Sequence, residues 1–77
     1  MSTFHGIYRG VVVNNADPDG RKRLLVECPG VLDPQPRWAE ACVPHRSRAL
    51  PPVGSTVWLQ FEAGDVTRPV WVGVRPR

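Results

Sequence analysis

The sequence predicts an all-β fold, a small five-stranded barrel. Its apolar runs are short and rich in β-branched residues, and several of them alternate apolar with polar side chains. Nine prolines and seven glycines separate these runs and leave no room for a long helix. A chain of 77 residues is short enough to make one domain, and closing its sheet removes exposed strand edges. We therefore expect one barrel over residues 1–77.

Five segments carry the strand pattern. The first contains Val11, Val12 and Val13 and ends at a run of turn-forming residues, 14–20. The proline-rich segment 33–36 is expected to be a loop, because proline cannot donate a hydrogen bond to a strand ladder. The predicted strands cover about residues 6–14, 23–28, 38–43, 56–62 and 69–74.

The last two strands are predicted to form a hairpin around a loop at 63–68. Their alternation predicts one inward and one outward face. The expected inward pairs are Phe61 with Val70, Leu59 with Val72, and Val57 with Val74. This register places Gln60 opposite Trp71 and Trp58 opposite Gly73 on the outer face, with the two tryptophans as diagonal neighbours.

Two tryptophans on the outside of so small a barrel need a cover. Three covers fit the sequence: the 44–54 connection, a protein partner, or stacked nucleic-acid bases or sugar rings. Tryptophan and arginine anchor many protein interfaces. The candidate subunit or partner interface therefore comprises Trp58, Trp71, Arg68 and Gln60.

No catalytic, cofactor-binding or metal site is predicted. Segment 15–20 has the oxygen-bearing residues of a calcium loop, but the twelfth position of that loop is Val26 rather than glutamate. A polar turn is expected there instead. His5 and His45 have no acidic or cysteine neighbour at metal-ligand spacing, and the serines lie in no nucleophile motif. The sequence therefore indicates a protein that is not an enzyme.

Charge and hydropathy argue against two further classes. The net charge of +3 comes mainly from arginines spread along the chain, without the basic run that would follow a phosphate backbone. No segment approaches the ~18 apolar residues of a membrane span, and we expect no membrane insertion.

Cys28 and Cys42 form no C-x-x-C motif. They could face each other across a hairpin, but in a protein made in the cytoplasm we expect both to be free thiols, buried within strands.

Two motifs near the C-terminus are distinctive. The first is Pro52-x-Gly54 leading into a strand and then Phe61-Glu62-Ala63-Gly64-Asp65, and the second is Pro69-Val70 followed by Gly73. Weaker matches are Tyr8-Arg9-Gly10-Val11-Val12, the run 23–30, Trp38-Ala39 and Val43-Pro44. Through these motifs the chain from Tyr8 to Gly73 resembles the OB domain of phage baseplate spike proteins, of the phage baseplate assembly protein V group and of type VI secretion VgrG spikes.

The resemblance implies an OB-like Greek-key barrel in a phage tail tip or baseplate, or in a related contractile injection system. It implies a structural ring or adaptor at the junction of hub and spike, located in the virion after assembly in the host cytoplasm. The implied partners are further copies of the chain, a homotrimer above all, and neighbouring hub, tube or spike proteins. No separate needle or lysozyme domain is expected, so neither piercing nor lysis is implied.

Two other classes stay open on the sequence. A free-standing oligonucleotide-binding OB protein would share the fold and the positive charge, and single-stranded DNA would quench its tryptophan fluorescence at low salt. A small shell or vertex protein built from similar barrels would form pentameric rings.

Overall fold

Five strands and one short 3₁₀ turn form the structure. The computed structural model describes residues 3–44 and 49–76. The elements in chain order are β1 (Tyr8–Asn14), β2 (Leu24–Cys28), β3 (Leu32–Ala41), β4 (Thr56–Phe61), the 3₁₀ turn (Glu62–Gly64) and β5 (Pro69–Val74). Within the two described ranges, no helix is long and apolar enough to cross a membrane.

The strands close into a barrel in the order β1-β2-β3-β5-β4, and β4 returns to pair with β1. The pairing of β3 with β5 is parallel, and the other pairings are antiparallel. The parallel pair arises because β4 lies outside it, on the far side of β5. This arrangement is a five-stranded Greek-key barrel of the OB type and confirms the predicted fold class.

Alternate residues of the strands point into the barrel and form its core, as the period of two predicts. The largest completely buried side chains are Val12, Leu24, Val26, Val57 and Leu59. Gly10 belongs to the same inward set and leaves space for Leu59, whose Cδ1 would lie 2.6 Å from a Cβ atom at position 10. A second aromatic layer, Phe4, Tyr8 and Phe61, packs with ring centroids 5.4 to 6.2 Å apart.

Strand β3 differs from its prediction at both ends. It runs from Leu32 to Ala41 rather than over 38–43, and it includes the proline-rich segment 33–36 that was expected to be a loop. In the β2–β3 ladder, Val26 pairs with Arg37 and Cys28 pairs with Leu32, so residues 33–36 lie opposite a single β2 residue. The prolines are accommodated in an extended strand because the ladder is interrupted there and does not need their missing N–H groups.

The register of the β4–β5 hairpin also differs from its prediction. The Glu62 N–H donates to the Arg68 carbonyl at 3.0 Å, so the hairpin closes one residue earlier on the β5 side than expected. Ala63 and Gly64 make this turn with positive φ angles of 53° and 75°. The observed pairs are Phe61 with Pro69, Gln60 with Val70, Leu59 with Trp71, Trp58 with Gly73, and Val57 with Val74.

A β-bulge at Val72 accommodates the shift between the two halves of this ladder. The predicted pairs of Phe61 with Val70, Leu59 with Val72 and Gln60 with Trp71 are therefore wrong. The predicted pairs of Trp58 with Gly73 and Val57 with Val74 are observed. Because a one-residue shift exchanges the two faces of a strand, Trp71 points into the core and Val70 points outward.

Candidate interaction surface

Trp58 lies in the middle of the outer face formed by β1, β4 and β5. Its ladder neighbours are Arg9 on β1 and Gly73 on β5, so the three residues form one row across three strands. The Arg9 guanidinium carbon lies 5.8 Å from the centre of the Trp58 ring, within the range of a cation–π contact. We call Arg9, Val11, Trp58, Gln60 and Gly73 the Trp58 face.

Gly73 leaves one side of Trp58 without a covering side chain. A Cβ atom at Gly73 would meet nothing within 4 Å, and the backbone there does not have the positive φ that favours glycine. Neither intramolecular packing nor backbone conformation therefore requires glycine at this position. The result is an open notch beside a half-buried tryptophan.

The notch continues into an apolar cleft beside β5. This cleft has a volume of about 310 Å³, and Gly73, Val43, Leu50 and Pro51 contribute to its lining. Leu50 is 38% exposed and Val74, also in the lining, is 46% exposed. The Trp58 ring, the bare backbone of Gly73 and the cleft thus form a connected apolar surface, the type of surface that marks interaction sites on small soluble proteins.

Arg9 provides the positive charge of this face. In the part of the chain that the structure describes, no carboxylate forms an ion pair with Arg9, whereas Arg21, Arg23 and Arg68 each have an acidic partner. Gln60 is exposed and follows Trp58 on the same side of β4, as predicted. The face therefore combines an aromatic ring, one free guanidinium and one amide.

Trp71 is not part of this face, so its predicted outward position is wrong. It is 3% exposed and belongs to the core cluster. Its indole Nε1–H donates to the carbonyl oxygen of Lys22 at 3.0 Å. The chain itself therefore covers Trp71, with the β1–β2 loop providing the polar contact. The 44–54 connection also borders Trp71 at Pro44 and 49–51, and its residues 45–48, with His45, lie outside the described residues.

Arg68 lies at the tip of the β4–β5 hairpin rather than beside Trp58. Its Nη1 is 3.7 Å from Glu62 Oε2, and both side chains are more than half exposed. It lines a second cleft of about 260 Å³ together with Trp38 and Arg23. The structure thus keeps Trp58 and Gln60 together and separates Arg68 from them.

The β1–β2 loop is ordered by Asp17. The Asp17 carboxylate accepts hydrogen bonds from the backbone N–H groups of Asp19, Arg21 and Arg23 at 2.9 to 3.2 Å. It also accepts two from the Arg23 guanidinium, at 3.1 Å from Nε and 2.9 Å from Nη2. The Arg23 hydrogen bonds, supported by the backbone donors, hold the pKa of Asp17 well below its usual range.

Asp17 therefore has an arginine partner within the segment that resembles a calcium loop. Arg23 also approaches the Trp38 ring, with its guanidinium carbon 5.6 Å from the ring centre. Among the residues placed by the structure, no group of three histidine, cysteine, aspartate or glutamate side chains could hold a metal ion. The side chain of His5 packs on Gly64 instead.

The two cysteines are free thiols, and the predicted burial is observed for Cys28 but is wrong for Cys42. Cys28 ends β2 and is buried, and burial raises the pKa of its thiol. Cys42 is exposed and follows the end of β3. The nearby β3 residue Ala39 pairs with Leu24, which lies at the other end of β2 from Cys28. The two residues therefore do not face each other across the β2–β3 hairpin.

Sequence reasoning did not identify Arg9, Gly73 and Trp38 as residues of a candidate surface or cleft. The alternation along β1 would have placed Arg9 outside the barrel, because the inward Val12 is three residues away and an odd spacing puts two strand residues on opposite faces. The pairing of β1 with β4, which brings Arg9 to Trp58, has no local signal. The importance of Gly73 depends on the empty space around it, which only the packed structure shows.

The chain is a small closed barrel of the OB type, with the half-buried Trp58 on its outer face and an apolar cleft nearby. The sequence matches the family model of the type VI secretion system/phage-baseplate injector OB domain over residues 8–75. The chain belongs to this family, as its motifs indicated. No curated protein matches the sequence. Family membership gives the chain a structural, baseplate-related role in a phage tail or type VI injector, in association with other tail or spike proteins.

Proposed function

We propose that the chain is a ring-forming adaptor at the junction of hub and spike, and that it assembles through the Trp58 face. The observation that carries this proposal is the row of Arg9, Trp58 and Gly73 on the outer face of the barrel. The work of such an adaptor is shape and contact, so its important residues lie at interfaces rather than around a reaction centre.

The chemistry of the Trp58 face fits a protein partner. Tryptophan and arginine are the residues most enriched among interface hot spots, and here they contact each other. The notch at Gly73 can accept a side chain or a strand of a neighbouring subunit next to the indole ring. A carboxylate of the neighbour would complete the ion pair that Arg9 lacks within the described chain.

The charge of this face favours a ring over a two-fold dimer. In a two-fold contact centred on Trp58, the Arg9 side chains of the two copies would approach each other, and like charges repel. A head-to-tail contact places the Trp58 face against a different surface of the next copy, and such contacts form a ring when the rotation between copies closes. The homotrimer predicted from the resemblance is a ring of this kind.

The test is the subunit count of purified protein by native mass spectrometry, together with incorporation into tail particles. Gly73→Val fills the notch, where a Cβ atom meets nothing within 4 Å, and valine suits a strand. We expect this variant to keep the wild-type circular dichroism spectrum and thermal midpoint of the monomer but to lose the oligomer. Trp58→Ala should have the same effect.

Trp38→Ala is the matched control, because it removes a tryptophan from the outer face of β3, which does not pair with β4. It should leave the oligomer intact. Wild-type assembly by both Gly73→Val and Trp58→Ala would reject the Trp58 face as the interface. A pentamer in the native spectrum would favour the shell or vertex class over the trimeric adaptor.

A further inference from the structure

A stripe of exposed side chains runs along the outer side of β1. Ile7, Arg9 and Val11 alternate with residues that point toward the core, so the three share one side of the strand. Ile7 is 56% exposed and Val11 is 38% exposed. The stripe adjoins Trp58, which pairs with Arg9 across the β1–β4 ladder. β1 therefore presents a continuous surface of apolar side chains around one arginine, and such surfaces mark contacts with other proteins.

The two neighbours of β1 give opposite charges to its two flanks. On the β4 flank, the Arg9 guanidinium carbon lies 5.8 Å from the centre of the Trp58 ring. On the β2 flank, Val11 pairs with Glu27, the exposed residue of β2. Because the sheet curves into a closed barrel, β4 and β2 face different directions. The positive flank and the negative flank can therefore contact two different molecules at once.

Neither Arg9 nor Glu27 has an ion-pair partner in the ranges that the structure describes. Their side chains do not pair with each other, although β1 and β2 are neighbours, since Arg9 is directed toward Trp58 on β4. Both side chains are exposed. One cation and one anion, on the two flanks of the same strand, are thus available to another molecule.

We propose that Arg9 of one copy pairs with Glu27 of the next copy, and that β1 of each copy lies at the axis of the ring. The pairing rests on the proposed function, because it names the surface that the Trp58 face meets on its neighbour. A ring needs two different contact surfaces on every copy, and the two flanks of β1 supply them. With β1 at the axis, Ile7 and Val11 contact the same residues of the other copies and are removed from water.

The charges favour a second copy over a different protein as the occupant. A contact between copies matches Arg9 with Glu27 at every junction of the ring. A different protein on the Trp58 face would complete the ion pair of Arg9 but leave Glu27 unmatched. Opposite charges across an interface mainly fix its register and exclude wrong partners. The pairing therefore determines which surfaces meet, and the apolar side chains supply the affinity.

The test exchanges the two charges and measures association by sedimentation equilibrium. Arg9→Glu and Glu27→Arg each place like charges across the contact, and we expect each to weaken the oligomer by on the order of tenfold or more. The double variant restores opposite charges, and we expect it to assemble nearly as well as the wild type. Arg21→Glu is the matched control, because it changes the net charge equally at a side chain that contacts Glu40 on β3. It should assemble like the wild type.

A crosslink tests the position of β1. Val11→Cys, made together with Cys42→Ser to remove the exposed native thiol, places cysteines of neighbouring copies close together at the axis. A disulfide requires Cα atoms about 4.4–6.8 Å apart, so mild oxidation should link two copies of the assembled protein. Arg21→Cys in the same background is the control and should stay unlinked. An oligomer in which Val11→Cys gives no more linked product than Arg21→Cys would overturn the position of β1.

The outcomes separate the pairing from the proposed function. If Trp58→Ala loses the oligomer and the double charge variant stays as weak as the single variants, the pairing is overturned and the Trp58 face remains the interface. If the double variant restores assembly while Trp58→Ala and Gly73→Val assemble like the wild type, the pairing is supported and the Trp58 face is rejected.

The subunit count decides the remaining alternatives. A trimer supports the position of β1 at the ring axis. A dimer would overturn that position, since a two-fold axis through Val11 brings the same two charges together. A wild-type chain that stays monomeric up to about 1 mM would overturn the second copy as the occupant, in favour of a different protein.

Discussion

Replacement of Trp71 with alanine should unfold the barrel, whereas replacement of Trp58 with alanine should leave the stability of the barrel nearly unchanged. Trp71 is 3% exposed and Trp58 is half-buried on the outer face. Truncation of a buried tryptophan to alanine costs about 3–5 kcal/mol. A domain of 77 residues has a total stability of roughly 4–12 kcal/mol. Trp71→Ala therefore removes a large part of the total stability, and we expect the variant to be unfolded at 37 °C.

Trp71→Phe gives a measurable intermediate. It keeps an aromatic ring in the core but removes the hydrogen bond from Nε1 to the Lys22 carbonyl, which contributes about 1 kcal/mol. The smaller ring also leaves a cavity beside the β1–β2 loop, and this adds a loss of about 1 kcal/mol. We expect a total loss of about 2 kcal/mol for Trp71→Phe and below about 1 kcal/mol for Trp58→Ala.

Urea unfolding followed by far-ultraviolet circular dichroism measures both losses without depending on tryptophan emission. With a slope of about 1 kcal/mol per molar urea, the Trp71→Phe midpoint should fall by about 2 M. All variants need the same low protein concentration, because oligomer formation raises apparent stability. Equal midpoint shifts for Trp71→Phe and Trp58→Ala would refute the inward placement of Trp71 and the shifted hairpin register with it.

Three further outcomes follow from single contacts. Gly10→Ala should lower the free energy of unfolding by about 1–3 kcal/mol, because its Cβ would lie 2.6 Å from Cδ1 of the buried Leu59. A melting curve like that of the wild type would contradict this packing. Because the pKa of Asp17 is lowered on folding, its carboxylate stabilises the fold above the ordinary aspartate pKa of about 3.9, and this is lost as pH falls. Asp17→Asn should be less stable at neutral pH, and its stability should change less as the pH falls. Acid-denaturation curves that run parallel for the variant and the wild type would argue against the assignment. In a thiol assay with Ellman's reagent, exposed Cys42 should react fast and buried Cys28 only on unfolding; two fast thiols would disagree with the burial.

The fold class and three strands could be predicted because their signals are local. Alternating side chains and the surrounding turn residues define β2, β4 and β5 within one residue of their observed bounds. β3 was predicted too short, because proline usually excludes a strand interior and the bulge at 33–36 that accommodates it depends on pairing with β2.

Which of the predicted interface residues face outward depended on the same distinction between local and long-range signals. Trp58 and Gln60 lie outside because the alternation within β4 alone places them there. The position of Trp71 depends on where the hairpin closes and on the bulge at Val72, neither of which has a clear sequence signal. Trp71 therefore belongs to the core, and Arg68 lines the second cleft instead of lying beside Trp58.

The sequence by itself determined that the chain is an all-β barrel of the injector OB family, because periodicity and motifs are properties of neighbouring residues. It also determined that Trp58 faces outward. Only the tertiary structure decided that Arg9 flanks this tryptophan, that Trp71 is buried and that Arg23 lies against Trp38. These contacts join segments that are distant in the chain, and their geometry is set by strand register and bulges, which respond to the packing of the whole barrel.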